Sequence, residues 1–500
     1  MNTPSYLPIK VLTRLKYGGP LGDLDNCLYL PAGHLKSIGL QPGLSVTFKL
    51  GSLCRQVTVE RVHSGSEGEA IFFLSPDISL KCELPAGTVI TVKYDRTVNT
   101  LCAGPLIGLF TVRNTPEDST FGSHEPSLMA LANSASKLFG FVFVFCPEDL
   151  DWDRSMVTGY VPAPDQEPSA NREYNPVSWK PLSLPLPDVI YNRIPSRSVE
   201  ARPEVEEAKS RLLALFDAYY FNPMFLDKWE THNVLRNIAE VAEFLPPTKL
   251  VETPEDIRDF LEQYGSVFLK PSSGSLGRRI IKVQIGEGGH YRFMYRSKDK
   301  QTVEGLAASF ATLYTILKPV MGKRTYVVQQ DLHLARFEDC PFDIRVLVQK
   351  DMRGNWRRTK IYVRKAAPDS FLSNLSDGAR PRAISTVLKE VFKSDFLARD
   401  GLGEDIRNAV RLIPPALEKG TALTWGELGL DLGIDYNRKI WLIEINSKPF
   451  RALVSDSGSF KIIERSLLRP LEFAKFLAGF YRHSPVRVNP EKSPQEPENF

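Results

Sequence analysis

Cysteine is scarce in this 500-residue chain and nowhere clustered. Cys27, Cys54, Cys82, Cys102, Cys146 and Cys340 form no C-x-x-C pair and no Cys/His group, which speaks against a disulfide framework or a zinc site. No apolar run reaches the length of a membrane span, and the opening MNTPSYLPIKVLTRLKYGG lacks the charged-then-apolar order of a signal peptide. The expectation is therefore a cytoplasmic protein with reduced thiols and no membrane span. Charge of either sign is not in excess: 63 Lys and Arg meet 59 Asp and Glu, and a net +4 predicts no nucleic-acid partner. The phosphate loop G-x-x-x-x-G-K-[ST] is absent, and Gly104 with Gly108 falls short of a dinucleotide fingerprint. No Ser-His-Asp or Cys-His nucleophile is evident.

What is present centres on residues 425–451, WGELGLDLGIDYNRKIWLIEINSKPFR. They read as two strands joined by a tight polar turn at Asn437-Arg438. Strand side chains alternate, so Leu442, Glu444 and Asn446 share one face and Ile443 and Ile445 take the other. In the first strand Asp431 points away from Leu430 and Leu432, beside Gly429 and Gly433. A hairpin centred on that turn sets Asp431 opposite Glu444, with Asn446 two residues along. Two carboxylates and an amide on one half-buried face call for a positive charge between them. Oxygen-only ligands suit Mg²⁺ or Mn²⁺ shared with a phosphate; the plainer reading is a solvated acidic strand.

Taken in order, residues 1–98 alternate short apolar runs with turn signals, the texture of a small all-β module. From 99 to about 200, GPLIGLFTV and FVFVFCP flank the amphipathic EPSLMALANSASKLFG, closed by Gly140, and strand–helix–strand implies a parallel sheet. The Pro-rich stretch 161–187 reads as a loop, and residues 483–500 read as a disordered tail.

Two further stretches carry chemistry. In SVFLKPSSGSLGRRIIKVQI a glycine-rich loop joins strand to strand. Gly274 and Gly277 let backbone N–H groups approach a phosphate, Ser272, Ser273 and Ser275 add donors, and Lys270 places an ammonium on the same anion. A plain hairpin loop is the alternative. In CPFDIRVLVQKDMRGNWRRTKIYVRKA a turn at Gly354-Asn355 sets Arg345 opposite Arg364, an arrangement that asks for a bridging anion unless the stems splay into solvent. RTYVVQQDLHL is a buried strand running into polar residues that can present backbone groups to an adenine edge.

In this succession the chain resembles the ATP-grasp superfamily, and within it the YheC/YheD family of endospore coat-associated proteins. The resemblance rests on GPLIGLFT, LPDVIYNRI, FLDKWETHNVL, FLKPSSGSLGRRIIKV, FDIRVLVQKD, FLSNLSDGARPRAI and ELGLDLGID with WLIEINSKP, and reaches about Phe476. It implies an α+β/α/β chain: the β module, a pre-ATP-grasp α/β domain over 99–200, and an ATP-grasp domain over 201–478 whose two α+β subdomains hold the nucleotide between them. Lys228 and Lys270 would hold ATP phosphates; Ser273, Gly274, Ser275 and Gly277 would form the loop folding over them. Gln329, Gln330 and the backbone through Leu332 would recognise adenine. Asp431, Glu444 and Asn446 would hold Mg²⁺ (or Mn²⁺), and Arg345 and Arg364 would meet the γ-phosphate and the acyl phosphate made from it. Asn374 and Gly378 match a loop beside the reaction centre. The implied activity is an ATP-dependent carboxylate–amine ligase acting through an acyl phosphate. Its implied partners are ATP, a carboxylate substrate, an amine acceptor and other spore-coat proteins, in the mother-cell cytoplasm or on the coat. A non-catalytic ATP-binding assembly component of the coat is the alternative, and a kinase on the same fold is a third.

Overall fold

Short β-rich runs close on themselves first. The structure is a computed structural model that describes residues 5–13, 26–62, 71–75, 78, 81–85, 87–113, 121–163, 179–274, 279–297, 301–366, 380–394, 401–449 and 460–481. Ser275, Gly277, Asn374, Gly378 and the tail 483–500 lie outside them. The described residues fall into two compact units, one reaching Pro223 and taking in Lys350–Asn355 and the C-terminal helix, the other spanning Met224–Gln349 and Trp356–Pro449.

In the first unit β1 (Ser5–Thr13), β2 (Cys27–Pro31), β3 (Leu44–Leu50), β4 (Leu53–Val62), β5 (Ile71–Leu74), β6 (Val89–Asp95) and β7 (Thr100–Gly104) form a closed barrel in the order β1-β5-β2-β4-β3-β7-β6. Alternation sends Val46, Phe48, Leu50, Val57, Val59, Ile90 and Val92 inward. The hairpin of β3 and β4 turns through Gly51 at φ 54°, where a Cβ would lie 2.2 Å from the Leu186 carbonyl oxygen. That carbonyl accepts the Ser52 N–H at 2.9 Å.

Next comes a sheet of β8 (Leu106–Phe110), β9 (Phe141–Phe145), β10 (Leu150–Asp151), β11 (Met156–Pro162), β12 (Trp179–Pro185), β13 (Val189–Asn192) and β14 (Tyr220–Phe221). Here β8 runs parallel to β9 and β13, and β13 to β14. Every residue of β8 and β9 is buried because both faces are covered. Leu106, Phe110 and Phe143 join the barrel core, whereas Ile107, Leu109 and Val144 pack with the helices Glu125–Ser134 and Phe460–Leu477. The helix expected to close at Gly140 instead ends in a 3-10 turn, with Phe139 left-handed at φ 52°. The C-terminal helix contributes Leu471, Phe473 and Ala474, and Lys93 donates to the Gly479 carbonyl just beyond its end at 2.6 Å.

The second unit holds two sheets. β15 (Thr248–Val251), β16 (Ser266–Pro271), β17 (Ile281–Ile285), β18 (Tyr291–Arg296), β19 (Thr302–Ala307) and β20 (Tyr326–Gln330) pair antiparallel in the order β15-β20-β16-β17-β18-β19. Val267, Leu269 and Val328 face the helices Pro254–Tyr264 and Phe310–Met321, so Phe268, Lys270, Val327 and Gln329 take the other face. The other sheet contains β21 (Arg336–Phe337), β22 (Cys340–Lys350), β23 (Trp356–Lys365), β24 (Arg380–Arg382), β25 (Glu427–Ile434) and β26 (Ile440–Asn446), in the order β24-β23-β22-β25-β26 with β21 beside β22. Ile344, Val346, Val348, Leu428, Leu430 and Leu432 pack on the core side with the helices Ile384–Phe392 and Gly401–Thr421.

Replacing Gly51 by Ala forces a Cβ into the Leu186 backbone at a left-handed φ, and should cost about 2 kcal/mol. A thermal unfolding temperature unchanged from the parent protein would contradict this account of the turn.

Candidate functional site

The alternation that buries one face of β22, β25 and β26 gathers their charged residues on the other. Asp431 lies at the centre, in register with Arg345 on one side and Glu444 on the other. Pairing near the turn runs one residue away from the expected register, Ile434 facing Ile440 across a loop in which Asp435 accepts the Asn437 and Lys439 N–H groups. An irregularity between Asp431 and Leu432 restores the Asp431–Glu444 pair. Its consequence corrects one expectation: Leu442 and Ile445 both enter the core, so Leu442 does not share a face with Glu444.

A second correction concerns the arginines. The turn tightens around Asp351, whose N–H donates to the Asn355 carbonyl at 2.9 Å, rather than centring on Gly354-Asn355. Ala366 N–H consequently meets the Pro341 carbonyl, and Arg364 lies against Asp343 instead of Arg345. Arg364 grips Asp343 through two bonds of 2.6 Å and reaches Asp431 Oδ2 at 2.9 Å. Arg345 Nε lies 3.0 Å from Asp431 Oδ1. The anion between the two guanidinium groups is thus the protein's own carboxylate. Burial opposes the charge on Arg364, but Asp431 and Asp343 outweigh it and hold the side chain above its ordinary proton affinity. Gly429 makes room for this arrangement, because a Cβ there would stand 2.7 Å from Arg345 Nη1. Asp343 was the residue that motif reading missed. Its position two before Arg345 on a strand was the available signal, since i and i+2 share a face.

Lysines supply the facing wall. Asp227 caps the helix Lys228–Leu235, accepting the Trp229 and Glu230 N–H groups at 2.9 and 3.2 Å, and it also takes the Ser272 hydroxyl at 2.5 Å. The Lys228 N–H donates to the Ser272 carbonyl at 2.9 Å, so helix start and glycine loop are stitched together. Lys228 Nζ donates to the Gly274 carbonyl at 2.9 Å and lies 3.2 Å from Glu444 Oε1. Burial would raise the Glu444 carboxyl, but Lys228, then Lys270 and Arg345, hold it below the usual range. Lys270 is buried and donates to Gln329 Oε1 at 2.5 Å, and Gln329 Nε2 donates to Thr248 Oγ1 at 2.8 Å. Burial pushes the Lys270 ammonium down to about 8 against the pull of Glu444, with Lys228 repelling it.

The remaining candidates are dispersed around this centre. Ser273 and Gly274 end the described part of the loop. The Gln330 N–H is taken by the Pro247 carbonyl at 3.1 Å, Gln329 points at Lys270, and Leu332 is buried. Asn446 lies opposite Gly429 in register and accepts the Lys448 N–H at 3.3 Å. One cavity joins the parts: Lys228, Lys270 and Glu444 line it together with Leu235, Leu245 and Ile443.

Asp431 Oδ1 is buried without a hydrogen-bond partner, because Arg345 Nε is within ion-pair distance but not aligned to donate. With Glu444 paired across the strands and the Asn446 amide beyond, this oxygen-only set fits a hard divalent cation. Among the described residues no group of three His, Cys, Asp or Glu lies close enough to hold a metal ion.

Removing the Asp343 carboxylate by Asp343→Ala leaves Arg364 buried with half its counter-charge, and should lower stability by about 3 kcal/mol. A shift in urea midpoint equivalent to less than about 1 kcal/mol would show that Asp431 alone satisfies it.

Comparison with known proteins places the chain. The endospore coat-associated protein YheD of Bacillus subtilis (strain 168) is 27% identical over 408 residues, covering 79% of this chain and 83% of its own length. The endospore coat-associated protein YheC of the same organism is 27% identical over 335 residues, covering 66% and 86%. Among solved structures, the D-cycloserine synthetase DcsG superposes with a TM-score of 0.43 at 14% identity, covering 73% of this chain and 99% of that one. The D-alanyl-alanine synthetase A of Vibrio cholerae gives 0.39 at 13%, covering 75% and 98%. Residues 217–477, more than half of the chain, match the YheC/D-like ATP-grasp family model, and the protein belongs to that family with its α+β ATP-grasp fold.

Proposed function

We propose that this protein binds MgATP in the cavity of its second unit and acts as an ATP-dependent carboxylate–amine ligase through an acyl phosphate. The observation that carries the reading is the meeting of Lys228 and Lys270 with Glu444 in one cavity that Leu226, Leu235, Leu245 and Val327 also line. Lys228 and Lys270 hold phosphates, and the backbone from Ser272 to Gly274 frames them. Asp431, Glu444 and Asn446 hold Mg²⁺, which when bound supplies neutralisation of phosphate charge. Binding a phosphate lets Lys228 exchange its Glu444 partner for the incoming anion, freeing that carboxylate for the metal. Arg345, fixed by Asp431 and seated over Gly429, and Arg364, fixed by Asp343, are preorganised to stabilise charge on a transferring phosphoryl group. Kinship with proteins named for the endospore coat supports a place for this chain on that structure or in the mother cell that builds it.

One observation favours a second reading, a coat component that binds ATP without turnover. Both arginines are already neutralised by protein carboxylates, leaving less positive charge for a reacting phosphoryl group. ADP release on presenting MgATP with panels of carboxylates and amines supports the ligase. Calorimetric MgATP binding with no ADP released across the panel assigns the second reading, and no binding overturns both.

Lys270 gives the nucleotide assignment a pH signature. Its folded value of about 8 rises again when phosphates lie beside it, so MgATP binding at pH 9 should take up protons while binding at pH 7 takes up few. Affinity should correspondingly fall as pH rises through 8. Calorimetry in buffers of different ionisation enthalpy measures the uptake. The same uptake at pH 9 in Lys270→Met would remove Lys270 from the phosphate site.

A further inference from the structure

The helix Lys228–Leu235 presents one continuous stripe to the cavity: Lys228, Thr231, His232 and Leu235, at spacings of three, four and seven. At a rise of about 1.5 Å per residue, Thr231 stands about 4.5 Å and Leu235 about 10.5 Å along the axis from Lys228. The stripe therefore passes from cation to hydroxyl and imidazole to hydrocarbon over the length of a nucleotide.

Thr231 is the unexplained member. A helical threonine usually bonds its hydroxyl back to the carbonyl one turn earlier. Here the Asp227 carbonyl accepts the Thr231 N–H at 3.0 Å, and Thr231 Oγ1 is buried with no partner. Other polar groups lining the cavity are committed: Thr248 Oγ1 and Gln329 bond to each other, and Gln329 to Lys270. A buried hydroxyl left unpaired is costly, which makes it a marker for something that completes it. The His232 ring beside it is held by stacking on Trp229 at 5.9 Å and 18°. Burial, with Arg236 adding, lowers that imidazole to about 4, so it stays neutral at physiological pH.

We infer that this helix reads the nucleoside half of the nucleotide, the Thr231 hydroxyl bonding the sugar hydroxyls and the neutral His232 ring walling the space between sugar and base. The inference rests on the nucleotide reading above and adds to it a determinant for ribose that lies outside the glycine loop and the strand end. It separates the parts of the ligand: the lysines answer to the phosphates, Thr231 to the sugar.

Calorimetry with MgATP and Mg-2′,3′-dideoxy-ATP tests it on the parent protein, Thr231→Val and Thr231→Ser. The parent should prefer ATP about tenfold, the worth of one well-made hydrogen bond. Thr231→Val should lose that preference by weakening ATP alone, and Thr231→Ser should keep it. A preference that persists in Thr231→Val, or an equal loss for both nucleotides there, overturns the assignment while leaving the nucleotide site intact. A parent protein that binds neither nucleotide overturns the nucleotide reading itself, and this inference falls with it.

Discussion

Buried charges of opposite sign have to be brought into contact, and the second unit is arranged around that requirement. Asp431 sits between Arg345 and Arg364, Arg364 is shared with Asp343, and Glu444 answers Lys228. Arg364, Asp343 and Asp431 would be expensive alone in a low-dielectric interior and are tolerable because strand register fixes their partners. The half-buried Glu444 instead meets a lysine fixed at a helix start. The glycine at 429 belongs to the same scheme, since any side chain there would displace the Arg345 guanidinium. The result is a polar floor on one sheet and a pair of ammonium groups, one at a helix start and one on the other sheet.

The stitching of helix start to loop base carries a second constraint. One oxygen of Asp227 receives two backbone N–H groups and the Ser272 hydroxyl. Lys228 follows immediately, so its position is tied to the strand that also carries Lys270. Two lysines distant in sequence are thereby placed relative to one another by backbone bonds rather than by flexible side chains. In the first unit the same economy appears differently. The sheet of β8 and β9 has no exposed face, and the C-terminal helix supplies part of the cover, so the last described segment belongs to the core of the first.

Much of the fold was legible. Continuous apolar runs such as FVFVF marked a buried parallel sheet, and runs between turn signals marked a small β module, which the structure closes into a barrel. The glycine loop does join antiparallel strands, β16 to β17. The pairing of Asp431 with Glu444 was also readable, although the register at the turn differs and an irregularity compensates. Less legible was anything depending on a turn's exact length. A shift at Asp351 moved Arg364 from Arg345 to Asp343, because a strand's partners change completely with small changes of register. Gln329 shows the same limit: its strand was identified, but its amide turned out to serve Lys270 and Thr248.

By itself the sequence determined which residues alternate, which runs are buried on two faces, and that carboxylates, arginines and lysines lie on strands and at a helix start. Those properties follow from local periodicity, which is set by backbone geometry. Only the tertiary structure decided that Asp431 is the anion between two arginines, that Glu444 meets Lys228, and that the Thr231 hydroxyl is buried without a partner. These are contacts between segments separated by tens to hundreds of residues, fixed by packing and pairing register, and no local pattern encodes which charge a buried charge will find.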